Sequence, residues 1–284
     1  MKWTALAPAK VNRELRVGRI RPDGFHEIRS RLVSIDLSDR LSAEAGESLS
    51  FSCDDPAVPS GDDNLVVRAA RLLAEDAGIP PRARLTLEKR VPMGGGLGGG
   101  SSDAAIALLL LDRLWNLEAP ADRLSGIAAR LGSDVPFFLT GGEADVSGRG
   151  EIVTPVEDGR AAELLLLVPP FSISTGDVYR LYAGGGILPD RLKISSEGGR
   201  RFLGPNDLAL AVLRKEPRME AYLATAAELT DDWAVSGSGS TIVMHGARRD
   251  AAERFAGPGL KARVLPCRTL SRGEYRARVT PRED

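Results

Sequence analysis

The spacing of hydrophobic residues predicts a series of helices and strands in the first half of the chain. Residues 64–77 place apolar side chains at positions 65, 66, 69, 70, 72 and 73, which fits the helical period, and Gly78 and Pro80 would end that helix. Residues 83–91 alternate apolar and polar positions, as a half-buried strand does. Further predictions are strands over 3–20 and 28–37, a turn at 21–24, a hairpin around Gly46, a glycine loop over 92–103, and helices over 103–117 and 120–132.

The second half of the chain continues this mixture after the polar stretch 157–160. Its patterns predict a strand over 163–168, a helix after Ser174 and Thr175 that includes Val178 and Leu181, and a glycine-rich loop at 184–186. They further predict helices over 207–215 and 218–230, a glycine turn at 236–240 before a strand, a helix over 250–257 and a strand over 261–268. Helices, strands and hairpins thus mix in both halves, which indicates an α+β protein. We predict two domains, residues 1–156 and 157–284.

Composition narrows the classes of function. The 284 residues carry a net charge of −1, which argues against nucleic acid or an anionic membrane as the main partner. Two cysteines and two histidines are too few for a disulfide framework or a zinc centre. The longest apolar run, residues 104–111, is too short to span a bilayer, and the first residues lack the apolar core of a secretory signal. We therefore expect a cytoplasmic protein; the composition leaves its oligomeric state open.

The strongest chemical signal is the stretch from Gly94 to Ser102, in which six of nine residues are glycine. Glycines let backbone N–H groups converge on an anion, and the start of the following helix adds further free N–H groups, so the stretch favours a phosphate. It could instead be a flexible connector with Ser101 or Ser102 as a helix cap. A dinucleotide fingerprint is disfavoured because a second helix, rather than a strand, follows the first. A Walker loop is disfavoured because it would need a lysine after its last glycine.

The segment PMGGGLGGGSSDAA resembles the second motif of the GHMP kinases, the family of galactose, homoserine, mevalonate and phosphomevalonate kinases. In that family this loop surrounds the phosphates of ATP. The resemblance implies that ATP is bound by Pro92, Met93, Gly94, Gly95, Gly96, Leu97, Gly98, Gly99, Gly100, Ser101 and Ser102.

Five other segments extend the resemblance over residues 7–245. APAKVN carries Lys10 and Asn12, LGSDVPFF carries Asp134, and SGSGSTIV resembles the third motif of the family. By themselves these segments could be a surface lysine, a capping aspartate and a tight hairpin. With the loop beside them, the resemblance implies that Lys10 and Asp134 are catalytic and that Asn12 binds the substrate.

RPDGFHEI and VPPFSISTGDVY resemble a branch of the family whose substrate contains cytidine diphosphate. There Phe25 and Tyr179 would stack on cytosine, and His26 would hydrogen-bond to the base. The implied reaction is ATP-dependent phosphorylation of the 2-hydroxyl of a methylerythritol linked to cytidine diphosphate, a step toward isoprenoid precursors by the non-mevalonate route.

The resemblance also implies the two-domain GHMP kinase fold, with an N-terminal domain like domain 2 of ribosomal protein S5 and a ferredoxin-like C-terminal domain. It implies Mg²⁺, for which Ser101 and Ser102 are candidate ligands. Arg13, Glu14 and Ala209 depart from the family's usual residues. The alternatives are another small-molecule kinase of this family, of homoserine or mevalonate type, and a nucleotide-binding protein without catalysis.

Overall fold

The computed structural model describes residues 1–182, 201–247 and 260–284, which form two antiparallel-rich sheets with helices packed on them. This arrangement confirms the predicted α+β mixture. The predicted glycine-rich loop at 184–186 and the predicted helix over 250–257 lie outside the described residues. Among the helices that are described, none is long and apolar enough to cross a membrane.

The first sheet is built on one long hairpin of β1 (Lys2–Ile20) and β2 (His26–Glu44). Four further strands of this sheet are β3 (Ser50–Cys53), β4 (Arg84–Glu88), β5 (Glu143–Ser147) and β6 (Ile152–Pro155). The predicted hairpin around Gly46 is wrong, because β4 pairs with β2 and β3 then adds to the far side of β4. Leu41 and Leu85, which are both fully buried, belong to the two strands that meet there.

Four helices lie with this sheet: α1 (Leu65–Ala77), α2 (Gly99–Leu114), α3 (Ala121–Leu131) and the short α4 (Phe137–Thr140). Helix α1 begins and ends as predicted, since the Asn64 side chain accepts a hydrogen bond from the backbone N–H of Val66 and Gly78 adopts a left-handed conformation. Helix α2 is buried along most of its length and forms the centre of the core. Its first turn therefore has a fixed position, and the glycine loop leads into it.

The second sheet consists of β7 (Glu163–Val168), β8 (Asp232–Val235), β9 (Ile242–His245) and β10 (Arg263–Arg268). Its described strands have the order β10-β7-β9-β8 and are all antiparallel. The helices of this half are α5 (Thr175–Leu181), α6 (Ala209–Lys215) and α7 (Met219–Leu229). Helix α5 begins at Thr175, one residue earlier than predicted, because the Ser174 hydroxyl accepts a hydrogen bond from the Asp177 backbone N–H.

The last described elements return to the first sheet. Helix α8 (Arg272–Val279) packs near β1, and β11 (Arg282–Glu283) pairs with Trp3 and Thr4 of that strand. The sequence pattern predicted neither element. The two sheets separate along the chain between β6 and β7, and the division into domains 1–156 and 157–284 stays a prediction.

Candidate active site

A cavity of about 1090 Å³ opens between the glycine loop, the first hairpin and helix α5. Residues from both halves of the chain line it. The sequence-predicted site residues that it brings together are Lys10, Asn12, Phe25, His26, Pro92, Met93, Gly94, Gly95, Gly96, Leu97, Gly98, Gly99, Gly100, Ser101, Asp134 and Tyr179. One predicted residue, Ser102, does not line it. The candidate residues therefore form one site although they are spread over 170 positions of the sequence.

Lys10 and Asp134 form an ion pair in this cavity, with 3.5 Å between Lys10 Nζ and Asp134 Oδ2. Lys10 is 3% exposed, so it is not a surface lysine, whereas the Asp134 side chain is 37% exposed. The backbone N–H of Lys10 donates to the carbonyl of Leu97, which ties β1 to the glycine loop. Asp134 does not cap α4, because the residue before that helix is Pro136 and no side chain caps it. The carboxylate is thus directed at the cavity beside a buried ammonium.

A chain of hydrogen bonds orients Asn12 beside the ion pair. Ser30 donates its hydroxyl proton to the Glu14 carbonyl at 2.5 Å and accepts a hydrogen bond from Asn12 Nδ2 at 2.8 Å. Asn12 Oδ1 therefore faces Lys10 and accepts a hydrogen bond from Nζ at 2.7 Å. The ammonium has three N–H donors, so Asn12 and Asp134 leave one donor for a ligand.

The two departures at Arg13 and Glu14 are accommodated at the back of the same strand. Arg13 forms an ion pair with the buried Glu143, and its guanidinium lies 4.2 Å from the centre of the Phe202 ring. A bulge between Asn12 and Glu14 restores the register, so that Leu15 is buried again. The charged residues therefore leave the packing of the strand intact.

The glycine loop owes its shape to contacts with both halves of the chain. Gly94, Gly96 and Gly98 have positive φ angles of 65°, 74° and 71°. A Cβ atom on Gly96 would lie 2.1 Å from the Ser236 carbonyl oxygen, so only glycine fits there. The Ser236 hydroxyl also donates to the Gly96 carbonyl at 3.0 Å. The predicted glycine turn at 236–240 thus connects β8 to β9 and packs directly against the glycine loop.

The two serines at the end of the loop differ in position. Ser101 lines the cavity at the start of α2. Ser102 is fully buried, and its hydroxyl donates to the Pro8 carbonyl at 2.8 Å while its backbone N–H donates to the Gly98 carbonyl. The hydroxyl of Ser102 consequently holds α2 against β1 and faces away from any ligand in the cavity.

A group of aromatic residues also lines the cavity. The His26 ring lies between Tyr179, with ring centres 5.7 Å apart, and Tyr182, 5.6 Å away edge to face. Phe25 is 48% exposed beside them, with the Arg149 guanidinium 5.1 Å from its ring centre. Burial, with a contribution from Asp134, raises the pKa of Tyr179 well above its usual range, so its hydroxyl stays protonated. Flat faces and neutral donors of this kind suit a nucleobase.

Sequence reasoning missed a second buried lysine in the cavity wall. Lys89 Nζ forms ion pairs with Asp39 and with Asp103, at 2.9 Å to the latter, and all three side chains are at most 5% exposed. Burial raises the pKa of Asp103 to about 8, and nearby Asp39 adds to the effect although Lys89 opposes it. Composition offered one signal that could have pointed to Lys89. The chain has 38 arginines and lysines, and Lys89 is one of only six lysines among them, so a lysine at this position is unusual for the chain.

The fold and this site together define a class of enzyme, the small-molecule kinases with a GHMP fold. The family model described as GHMP kinases N terminal domain matches residues 64–142, which contain the glycine loop. A solved homoserine kinase from Cytophaga hutchinsonii, 17% identical, has the same fold with a TM-score of 0.69 over 99% of this chain and 96% of its own. The α+β, two-domain GHMP kinase fold is therefore that of this chain.

Closer similarities identify the branch. The 4-diphosphocytidyl-2-C-methyl-D-erythritol kinase of Salinibacter ruber is 41% identical over 91% of this chain and 95% of its own length. The crystal structure of a 4-(cytidine 5′-diphospho)-2C-methyl-D-erythritol kinase is 34% identical, with a TM-score of 0.75 over 94% of this chain and 98% of its own. The chain belongs to the family of 4-diphosphocytidyl-2-C-methyl-D-erythritol kinases.

Proposed function

We propose that the chain transfers the γ-phosphoryl group of ATP to the 2-hydroxyl of 4-diphosphocytidyl-2-C-methyl-D-erythritol. The observation that carries this proposal is the place of the Lys10–Asp134 ion pair, in one cavity with the glycine loop and the aromatic group. A phosphate loop and a surface for a base within one cavity suit a phosphoryl donor and a cytidine-containing acceptor.

Asp134 is the group that orients the acceptor hydroxyl and takes its proton. Its carboxylate is accessible from the cavity, and phosphoryl transfer depends mainly on such positioning and on stabilisation of charge. Lys10 keeps Asp134 in place and directs its remaining N–H donor at the phosphoryl group. The hydrogen bond from Lys10 to Asn12 limits the movement of the ammonium, which lowers the cost of reorganisation in the transition state.

The glycine loop and the first turn of α2 would hold the phosphates of ATP through backbone N–H groups. Mg²⁺ would neutralise phosphate charge. Within the described residues no cluster of three or more acidic, cysteine or histidine side chains could hold a metal ion by itself. An ion held mainly by phosphate oxygens and water fits this site, with Ser101 as the protein hydroxyl within the cavity, because Mg²⁺ commonly keeps several water ligands. Ser102 does not fit, since its hydroxyl is bonded to Pro8.

The experiment is a kinase assay that compares acceptors. Purified protein with ATP and Mg²⁺ is offered 4-diphosphocytidyl-2-C-methyl-D-erythritol, homoserine, mevalonate or galactose, and ADP formation is measured. We expect turnover with the cytidine compound alone, and ³¹P NMR of the product should show a new phosphomonoester. Preferred turnover of homoserine or mevalonate would contradict the proposal, and so would nucleotide binding without turnover of any acceptor.

Replacing Phe25 tests cytidine recognition. Stacking on an aromatic ring contributes about 1–3 kcal/mol per base, so Phe25→Ala should raise KM for the cytidine substrate roughly 5–150-fold and leave KM for ATP unchanged. Phe202→Ala is the matched control, because that ring also lies beneath an arginine but outside this cavity. Equal KM values in both variants would remove Phe25 from the base site.

A cytoplasmic location and the absence of nucleic-acid or membrane partners stay predictions.

A further inference from the structure

Tyr275 of helix α8 is a fully buried residue that the reaction described so far does not use. Its hydroxyl donates a hydrogen bond of 2.5 Å to the backbone carbonyl of Phe138 in α4, across 137 positions of the sequence. Burial raises the pKa of Tyr275 far above its usual range, so the hydroxyl keeps the proton that it donates. The contact joins a late helix to the segment that follows Asp134.

The backbone near α4 is shaped to receive this ring. Gly141 has a φ angle of +62°, and a Cβ atom there would lie 1.9 Å from Tyr275 Cδ1. Gly142 has a φ angle of +68°, and its Cβ would lie 2.9 Å from the Arg272 Cα. Any side chain at either position would push α8 away. The two glycines therefore allow α8 to lie directly on the backbone at the end of α4.

Helix α4 also connects Asp134 to the rest of the site. The turn that holds Asp134 leads directly into α4, because the Phe138 N–H donates to the Val135 carbonyl at 3.1 Å. The Phe138 ring then reaches the glycine loop, since a Cβ on Gly98 would lie 2.8 Å from Phe138 Cζ and 3.1 Å from Lys10 Cγ. The segment from Asp134 to Phe138 thus carries the aspartate at one end and places the Phe138 ring against Gly98, beside which the Lys10 side chain also lies.

We propose that Tyr275 is a positioning residue for phosphoryl transfer. Its hydroxyl and ring fix α4, and α4 fixes Asp134 relative to Lys10 and Gly98. This inference rests on the proposed kinase function. Small displacements of catalytic groups are costly in rate, because a shift of about 1 Å can lower a rate roughly 10²-fold.

The test uses Tyr275→Phe, which removes only the hydroxyl, and Tyr222→Phe as a matched control. Tyr222 is also buried and also donates its hydroxyl to a backbone carbonyl, that of Lys261 at 2.9 Å, but it lies in the second half outside the cavity. We expect Tyr275→Phe to lower kcat roughly 5–50-fold with KM for ATP unchanged within about twofold. The control should lose a similar amount of thermal stability and keep its kcat. Equal kcat values for wild type and Tyr275→Phe would overturn the inference.

A second measurement does not depend on activity. Hydrogen–deuterium exchange of the free protein should show faster exchange in residues 134–141 for Tyr275→Phe and no such change for Tyr222→Phe. Unchanged exchange there would overturn the positioning role even if the wild type phosphorylated none of the acceptors. If the wild type phosphorylated none of the acceptors but Tyr275→Phe still exchanged faster in residues 134–141, the role of Tyr275 within the fold would be supported. Only the proposed function would then be contradicted.

Discussion

Two lysines with buried side chains lie beside the glycine loop, and their surroundings differ. Lys10 faces a single carboxylate, Asp134, which is 37% exposed to the cavity. Lys89 lies between two carboxylates, Asp39 and Asp103, that are at most 3% exposed. Asp39 also accepts hydrogen bonds from the backbone N–H groups of residues 90 and 91. The Lys10–Asp134 pair is therefore accessible to a ligand, whereas Lys89 and its two carboxylates are enclosed by the protein.

Two consecutive glycines separate these environments. A Cβ on Gly98 would approach Lys10 Cγ to 3.1 Å, and a Cβ on Gly99 would approach Lys89 Nζ to 3.1 Å. Burying an ammonium is unfavourable unless opposite charge is close. A lysine beside a carboxylate suits the chemistry proposed for Asp134, where the carboxylate is accessible, and suits a stabilising role where the carboxylate is enclosed, as at Asp39.

The largest effect should follow from Lys10→Met. We expect the variant to fold and its kcat to fall about 10²–10⁴-fold, because a donor to the transferred group and the partner of Asp134 are both lost. Asp134→Asn should lower kcat on the same scale. Steady-state kinetics and circular dichroism measure activity and folding. Near-normal turnover in either variant would show that the exposed pair is not catalytic.

Lys89→Met should act mainly on stability. Removing Lys89 leaves the buried Asp39 carboxylate without its ion-pair partner and costs about 3–5 kcal/mol, which should lower Tm by roughly 5–15 °C. The kcat measured well below Tm should fall much less than in Lys10→Met. Calorimetry and kinetics on the two methionine variants sharpen the contrast. A large loss of kcat at unchanged Tm would place Lys89 with the catalytic pair and end the distinction.

The smallest effect concerns pH. With its pKa raised to about 8, Asp103 holds a proton in the folded state that the unfolded chain releases near pH 4. Between these values the folded state binds more protons, so raising the pH lowers the free energy of unfolding. Asp103→Asn cannot titrate and should lose less stability than wild type between pH 6 and 8, by a few degrees in Tm. Parallel pH dependences would mean that Asp103 is already ionised at pH 6.

Local patterns in the sequence located many of the described helices and strands, but not how the strands pair. Helix α1 was readable because its apolar spacing and both ends are local features. The pairing around Gly46 was not, since β4 enters the sheet from some 40 residues further along the chain. Helix α8 gave no periodic signal because only Tyr275 and Val279 are buried among mostly charged residues.

The candidate site was readable where a motif repeats a known order of residues. Lys10, Asp134 and the glycine loop could be named from their segments, and the structure places them in one cavity. Tyr182 and Lys89 could not be named, because each depends on partners distant in the sequence. The motif alone also named one residue too many. Ser101 faces the cavity, whereas its neighbour Ser102 is buried in the core.

The return of the last strand to the first sheet has a consequence for the order of folding. Strand β11 pairs with residues 3 and 4, and Tyr275 fills a space beside Gly141, so the first sheet and its core contain residues from both ends of the described chain. Contacts that distant in sequence form slowly, because a long loop must close before they stabilise anything. On the ribosome, the N-terminal half can begin to fold as it emerges, but it completes its core only after the whole second half has been synthesised.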